Sequence, residues 1–579
     1  MDSMAVLVLW AAFSCFLAVA NGLQTAGLSK NGSIPSSMAA RTKQPYRTAY
    51  HFQPPKNWMN GPVYYKGVYH LFYQYNPYAA IWGNMTWGHA ISYDLVNWVH
   101  LEYALNPTEP YDLGGCYSGS ITILPDGKPV ILYTGADTQN FQSQNLAFPK
   151  DPSDPLLREW VKSPSNPVIP ANDGDIDPAN FRDPTTAWQG PDGLWRVLIG
   201  GKIDGRGLAF LYQSNDLITW TRNEKPLHSS AKTGMWECPD FYPVKISGKN
   251  GVENYVETKY STFVLKASFV DHDHYILGHY KAKTNEFDIE TEDFMEGNTD
   301  WRYDYGAKFY ASKTFFDGGK RRRILWAWVP ESDTRADDIK KGWSGLQSIP
   351  RALWLSTRGK QLVQWPIREI ESLRKEKVEI KGTELNSGSL IEVRGITAAQ
   401  ADVEVSFELP SLDEAELMEP TWVDPQLLCS QKNAKVKGAA GPFGLLVLAS
   451  KNFTEQTAIF FRIFKNHDGH VVLMCSDLSR SSLRKEVDKT SFGAFVDIDP
   501  PQEKISLRTL IDHSVIESFG GEGKACITSR VYPVLAVGKE AKLYAFNNGN
   551  LSIKISKLNA WSMKEASIVP LTKRRKPPA

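Results

Sequence analysis

The sequence predicts an all-β protein, a five-bladed β-propeller followed by a C-terminal β-sandwich. Three observations carry this expectation. From Tyr46 to about Trp365, short β-type runs such as 68–73, 130–133, 195–199 and 324–328 are separated by Gly, Pro, Asn and Asp, with no long helical periodicity between them. A pattern S-x-D-L-x-x-W occurs twice, as Ser92-Tyr93-Asp94-Leu95-Val96-Asn97-Trp98 and as Ser214-Asn215-Asp216-Leu217-Ile218-Thr219-Trp220. The copies lie 122 residues apart, which predicts repeated units of about 60 residues with one between the two copies, and so about five in this region. From Glu379 to Trp561 strand-like runs return, for example 401–409, 443–448, 457–463 and 471–475, without a second set of chemical motifs, which suits a sandwich.

In chain order, residues 5–20 form an apolar run ending in Ala18-Val19-Ala20, the length and ending of a signal peptide (1–20), although Asp2 is the only charge before it. Residues 21–44 read as a mobile leader rich in Ser, Gly, Ala and Asn. The propeller is expected over 45–366, a charged connector that could form a short helix over 367–378, the sandwich over 379–565 and a basic tail over 566–579. The run Lys573-Arg574-Arg575-Lys576 reads first as a solvated terminus and second as a weak contact for acidic polysaccharide.

Composition narrows the function. With Lys+Arg 65 against Asp+Glu 64 the formal charge is +1, so no concentrated positive field points to nucleic acid or to an acidic membrane. The 18 Trp, 24 Tyr and 26 Phe exclude a disordered chain and read first as β-sheet core. Once Cys15 leaves with the signal, Cys116, Cys238, Cys429, Cys475 and Cys526 remain. The odd number requires a free thiol in an oxidising compartment. No two are spaced as C-x-x-C, so no metal site and no cofactor are expected. Cys429 and Cys475 are the candidate disulfide. Sequons at Asn31, Asn84, Asn452 and Asn550 fit a secretory route.

The acidic residues in unusual company are Asp183, in Phe181-Arg182-Asp183-Pro184, and Glu237 and Asp240, in Trp236-Glu237-Cys238-Pro239-Asp240. A carboxylate flanked by Trp and Pro loses water and can hold a proton near neutral pH, as a general acid must. Glu237 is the best candidate for that role; capping a turn is the alternative.

These segments belong to an ordered series: Trp58-Met59-Asn60, His70-Leu71-Phe72-Tyr73-Gln74-Tyr75-Asn76-Pro77, Trp87-Gly88-His89, Cys116-Tyr117-Ser118-Gly119-Ser120, Phe309-Tyr310-Ala311-Ser312-Lys313 and Gly345-Leu346-Gln347-Ser348-Ile349-Pro350-Arg351. Together they closely resemble the plant acid invertases and fructan exohydrolases of glycoside hydrolase family thirty-two, from about Arg47 to Trp561. The resemblance implies a five-bladed propeller plus sandwich that acts on β-fructofuranosides by retaining hydrolysis. It implies Glu237 as acid/base and Asp183 as transition-state stabiliser, holding fructose hydroxyls with Arg182. It also places Trp58, Asn60, Gln74, Trp82, Tyr117 and Ser118 in the substrate pocket, and Asp271 as the acidic residue that helps separate sucrose from fructan users. No Lys or Arg closely follows Asp271, which weakens the case for sucrose. With a signal peptide and no long acidic leader, secretion to the apoplast and cell wall is expected rather than delivery to the vacuole.

One departure stands out. The family motif reads Trp-Met-Asn-Asp-Pro-Asn-Gly and its Asp is the nucleophile, whereas here Trp58-Met59-Asn60 runs directly into Gly61-Pro62. Three residues are absent, the attacking carboxylate among them, and neither amide nor glycine can form the glycosyl ester. Two readings follow: a secreted β-fructofuranosidase-family hydrolase of sucrose or fructans whose nucleophile is missing from this chain, or a catalytically dead homologue that binds sugar or a partner protein.

Overall fold

The computed structural model describes residues 44–570, apart from 61–62, 173, 254–260, 295–300, 359–360 and 468; the side chains of 58–60 and 63 also lie outside that description. The expected signal peptide and leader, the sequon at Asn31 and the basic run 573–576 fall outside it. Among the described residues no helix is long and apolar enough to cross a membrane.

Five antiparallel sheets follow one another between Asn57 and Pro366. Blade I contains Asn57–Asn60 and Val63–Tyr65 as its inner strand, then Val68–Tyr75, Thr86–Ser92 and Trp98–His100; blade II runs from Gly115–Ile123 to Trp160–Lys162. Blade III has an inner strand in two pieces, Phe181–Arg182 and Trp188–Gln189, followed by Trp195–Ile203, Arg206–Ser214 and Trp220–Arg222. Blade IV runs from Glu237–Lys245 to Glu286–Ile289, and blade V from Tyr310–Asp317 to Leu362–Pro366.

The middle strands are continuous apolar runs because both faces of each blade are buried. Successive residues point to opposite neighbours. Val197 and Ile199 pack with Val130 and Leu132 of blade II, whereas Leu198 between them packs with Phe241 and Leu265 of blade IV. Ile131 and Tyr133 join Phe72 and Trp87 of blade I. Val264 and Tyr275 of blade IV meet Leu325 and Ala327 of blade V. Ile324 and Trp326 complete the ring against Leu71 and Tyr73 of blade I.

The repeated S-x-D-L-x-x-W segments are equivalent turns in blades I and III. In each, the serine hydroxyl accepts the N–H groups of the Asp and Leu, at 3.1 and 2.8 Å in the first copy and 3.1 and 2.9 Å in the second. The Asp carboxylate accepts the next two N–H groups at 2.9 and 2.7 Å in both. Leu95 and Leu217 adopt φ of 62° and 66°, so the sequence pattern encodes one backbone shape.

Within the stretch expected as a connector that could form a short helix, Arg368–Leu373 is a 3-10 helix that passes directly into the strand Arg374–Leu385. Charge alone did not distinguish a helix from an edge strand whose outer side faces water. Two sheets pack face to face beyond it, with alternate residues such as Val403, Val405 and Phe407 set against Leu445, Val447 and Ile459. Cys429 and Cys475 are disulfide-bonded, and Cys116, Cys238 and Cys526 are buried free thiols. Within the stretch read as a tail, Ile568–Pro570 forms a parallel strand beside Trp98–His100 of blade I. Its partner lies some 470 residues earlier, beyond the reach of local sequence signals.

Propeller and sandwich share a buried polar seam. His51 Nδ1 bonds Asp512 at 2.9 Å and His51 Nε2 bonds Glu517 at 3.0 Å. Glu517 also accepts from Arg351 at 2.5 Å, and Arg351 pairs with Asp304 at 2.9 Å. All five side chains are fully buried.

Candidate active site

The inner strands converge on the propeller axis, and their ends shape a cavity of about 320 Å³ whose wall includes Gln74, Trp82, Tyr117, Ser118, Arg182, Asp183, Glu237 and Tyr310. A recurring backbone device presents these groups. In blade II the pairing shifts by one residue between Cys116 and Gly119, in blade IV between Glu237 and Asp240, and in blade V between Tyr310 and Lys313. Each shift is a bulge, which bends the strand end and turns side chains towards the axis. Cys238 (φ 45°) and Ala311 (φ 52°) follow Glu237 and Tyr310 in the left-handed region, as does Asp183 itself at 68°. Strain of this kind persists only where the surroundings enforce it, and it gathers at functional sites.

Both Glu237 oxygens are engaged: Arg182 donates to Oε1 at 2.5 Å and Tyr310 to Oε2 at 2.5 Å. Each oxygen keeps a further lone-pair direction, so a protonated Glu237 can hold these partners and still donate to a leaving-group oxygen. Asp183 lies beneath, 3% exposed, with one oxygen accepting the Cys238 N–H at 2.8 Å and standing 4.0 Å from Arg182. Burial and the neighbouring Glu237 charge raise the Asp183 pKa against the opposing pull of Arg182. Burial also pushes the Tyr310 phenol well up, and Glu237 adds to it, so Tyr310 remains a donor. Arg182 is fixed by Gln142, which accepts from it at 3.1 Å. Gln74 donates to Ser118 at 2.9 Å, and the Trp82 and Tyr117 rings sit 5.6 Å apart as an aromatic wall.

The bulges are held from below by two lysines. Lys266, fully buried, donates to the carbonyls of Cys238 (3.0 Å) and Ser312 (2.8 Å) and to the Ser268 hydroxyl (2.7 Å), and pairs with Asp273 at 3.3 Å. Lys313 donates to Pro239 O at 2.8 Å. Lys266 thus joins the bulge that follows Glu237 to the one that follows Tyr310. Replacing Lys266 by Met should leave Asp273 buried without its cation and lower the unfolding free energy by about 3 kcal/mol, measurable in urea.

Six sequence-chosen residues, Gln74, Trp82, Tyr117, Ser118, Arg182 and Asp183, meet Glu237 in one cavity. Asp271 is not among the lining residues. It occupies the exposed two-residue turn between Ser261–Phe269 and His272–Lys281, with φ positive at both Val270 and Asp271, which suits a tight hairpin. For Trp58 and Asn60 only the backbone is described: they pair with Ser344 and Gln74, which puts Asn60 level with a pocket residue. The expected deletion, between Asn60 and Gly61, adjoins residues 61–62, which lie outside the described residues. Asn60 pairs with Gln74 and Val63 with His70, so two residues of the inner strand span three of its neighbour and the register moves by one. Tyr310, Gln142 and Lys266 were missed by sequence reasoning. Tyr310 lay inside a recognised motif, whereas nothing local marks the other two.

The comparisons agree with this geometry. A model of the glycosyl hydrolases family 32 N-terminal domain matches residues 51–366, and one of the family 32 C-terminal domain matches 369–562. A beta-fructofuranosidase, insoluble isoenzyme, of Arabidopsis thaliana is 56% identical over 553 residues, 93% of each chain. A fructan 6-exohydrolase of Beta vulgaris is 54% identical over 533 residues, covering 90% of this chain and 88% of its own. The crystal structure of fructan 1-exohydrolase IIa from Cichorium intybus superposes with a TM-score of 0.89 at 56% identity, covering 91% of this chain and 99% of that one. Family models matched over both domains, with relatives 54% and 56% identical over nine-tenths or more of the chain, place this chain in glycosyl hydrolase family 32.

Proposed function

We propose that the cavity binds the terminal β-fructofuranosyl unit of sucrose or a fructan, with Glu237 as acid/base, Asp183 and Arg182 on the fructose hydroxyls, and Trp82 and Tyr117 as the apolar wall. The observation that carries this reading is the convergence of Arg182, Asp183, Glu237 and Tyr310 in one cavity. The relatives' names supply the substrate class. Retaining double displacement needs a second carboxylate that attacks the anomeric carbon. Among the described lining residues the carboxylates are Asp183 and Glu237, and Asp183 is tied beneath the surface by the Cys238 N–H. The chain as written therefore keeps the binding and protonating parts of the site without the attacking one. The second reading, a dead homologue that binds sugar or a partner protein, draws on the same missing carboxylate.

Secretion to the apoplast and cell wall is part of the proposal, as is contact of the basic tail with wall polysaccharide. Calorimetric titration with fructose, sucrose and 1-kestose tests the pocket: binding should be measurable and weakened about tenfold or more by Arg182→Ala, which removes a charged hydrogen-bonding group. Equal binding by the variant would sink the assignment.

A further inference from the structure

Asn84 is the sequon asparagine of the propeller among the described residues, two positions beyond Trp82, which lines the pocket. The loop that carries it joins Val68–Tyr75 to Thr86–Ser92 and is pinned at both ends. Asn76, 1% exposed, donates to Ile81 O at 2.8 Å and accepts the N–H groups of Tyr78 (2.9 Å) and Ala79 (3.2 Å). At the other end buried Met85 accepts the Cys116 N–H at 2.9 Å. Between these anchors Trp82 lines the cavity while remaining 58% exposed, and Asn84 is exposed with φ 50°. Two peptide units separate them, so their Cα atoms lie at most about 7 Å apart.

We infer that an N-glycan on Asn84 makes the pocket selective by chain length, an inference that rests on the proposed fructoside site. A glycan is bulky and strongly hydrated. Attached to a pinned loop beside Trp82, it occupies the space over the rim that a polymer must cross, whereas a di- or trisaccharide fits within the cavity and its mouth. Selectivity then arises from exclusion of the long ligand rather than from an added contact with the short one. The sequons at Asn452 and Asn550 are exposed on the sandwich and serve as internal controls.

The test uses the full chain secreted from a glycosylating host, with occupancy at Asn84 read by peptide mass spectrometry. Binding of 1-kestose and of long-chain inulin is compared for the glycosylated protein, the enzymatically deglycosylated protein and the Asn84→Asp variant. Asp tolerates left-handed backbone as Asn does, so this variant keeps the loop. The expected result is an occupied Asn84, and inulin affinity that rises about fivefold in both glycan-free forms while 1-kestose affinity changes less than about twofold. An unoccupied Asn84, or 1-kestose binding with unchanged inulin affinity, overturns the inference and leaves the pocket reading intact. Absence of binding by both sugars in every form removes the pocket reading and this inference with it.

Discussion

Inserting Asp-Pro-Asn between Asn60 and Gly61 should raise kcat on sucrose or inulin by roughly 10⁴-fold or more, since removal of a nucleophile typically costs that much. The acid candidate, its two hydrogen-bond partners and the buried carboxylate are already assembled in blades III, IV and V, so the insertion has only blade I to repair. Steady-state kinetics of the two chains side by side checks this. A rise in kcat with little change in sugar affinity is expected, because the inserted carboxylate acts on the transition state more than on the bound ground state.

Replacing His51 by Ala should cost about 3 to 5 kcal/mol of stability, the effect of leaving a buried carboxylate without its partner. Burial opposes a charged imidazole here, but the hydrogen bonds and charges of Asp512 and Glu517 prevail and raise its pKa above 6.5. For Asp512 and Glu517 burial again opposes the charge; His51 lowers the first, and Arg351 and His51 lower the second, below their ordinary 3.8 and 4.5. The signs define a window. The histidine contribution is complete below pH 6.5 and is lost as pH rises through its raised folded value. The carboxylate contributions are complete above their ordinary values and are lost as pH falls through their lowered folded values. The seam should therefore be strongest between about pH 4.5 and 6.5. Thermal unfolding against pH reads this directly: the parent chain should lose stability above that window, and His51→Ala should show a flatter alkaline limb. The seam joins propeller to sandwich, so a second, earlier transition in the variant is also expected.

Much of the fold was legible because blade strands obey simple rules. Apolar runs of four or five residues mark strands buried on both faces, and S-x-D-L-x-x-W spells out a turn through its own side chains. The site was legible where chemistry is concentrated in neighbouring residues, as in Arg182-Asp183 and Glu237-Cys238. It was not legible where function depends on a bulge or on long-range convergence. Lys266 reads as an ordinary strand lysine until folding sets it against carbonyls 28 and 46 residues away. Gln142 supports Arg182 across 40 residues. Asp271, chosen from a segment that resembles a site motif, stands on an exposed hairpin turn and is not among the residues that line the cavity. In the connector 367–378 the short helix is the 3-10 segment Arg368–Leu373, but its charges do not mark where the edge strand Arg374–Leu385 begins.

The central claim is that this chain retains a fructoside pocket and lacks the group that attacks. The most direct test is to measure, on one preparation of the purified chain, both the affinity for sucrose and the release of glucose from it. Saturable binding with a turnover number roughly 10⁴-fold or more below that of the Asp-Pro-Asn insertion variant is the expected result. Release of glucose by the unaltered chain at the rate of the insertion variant would contradict the account.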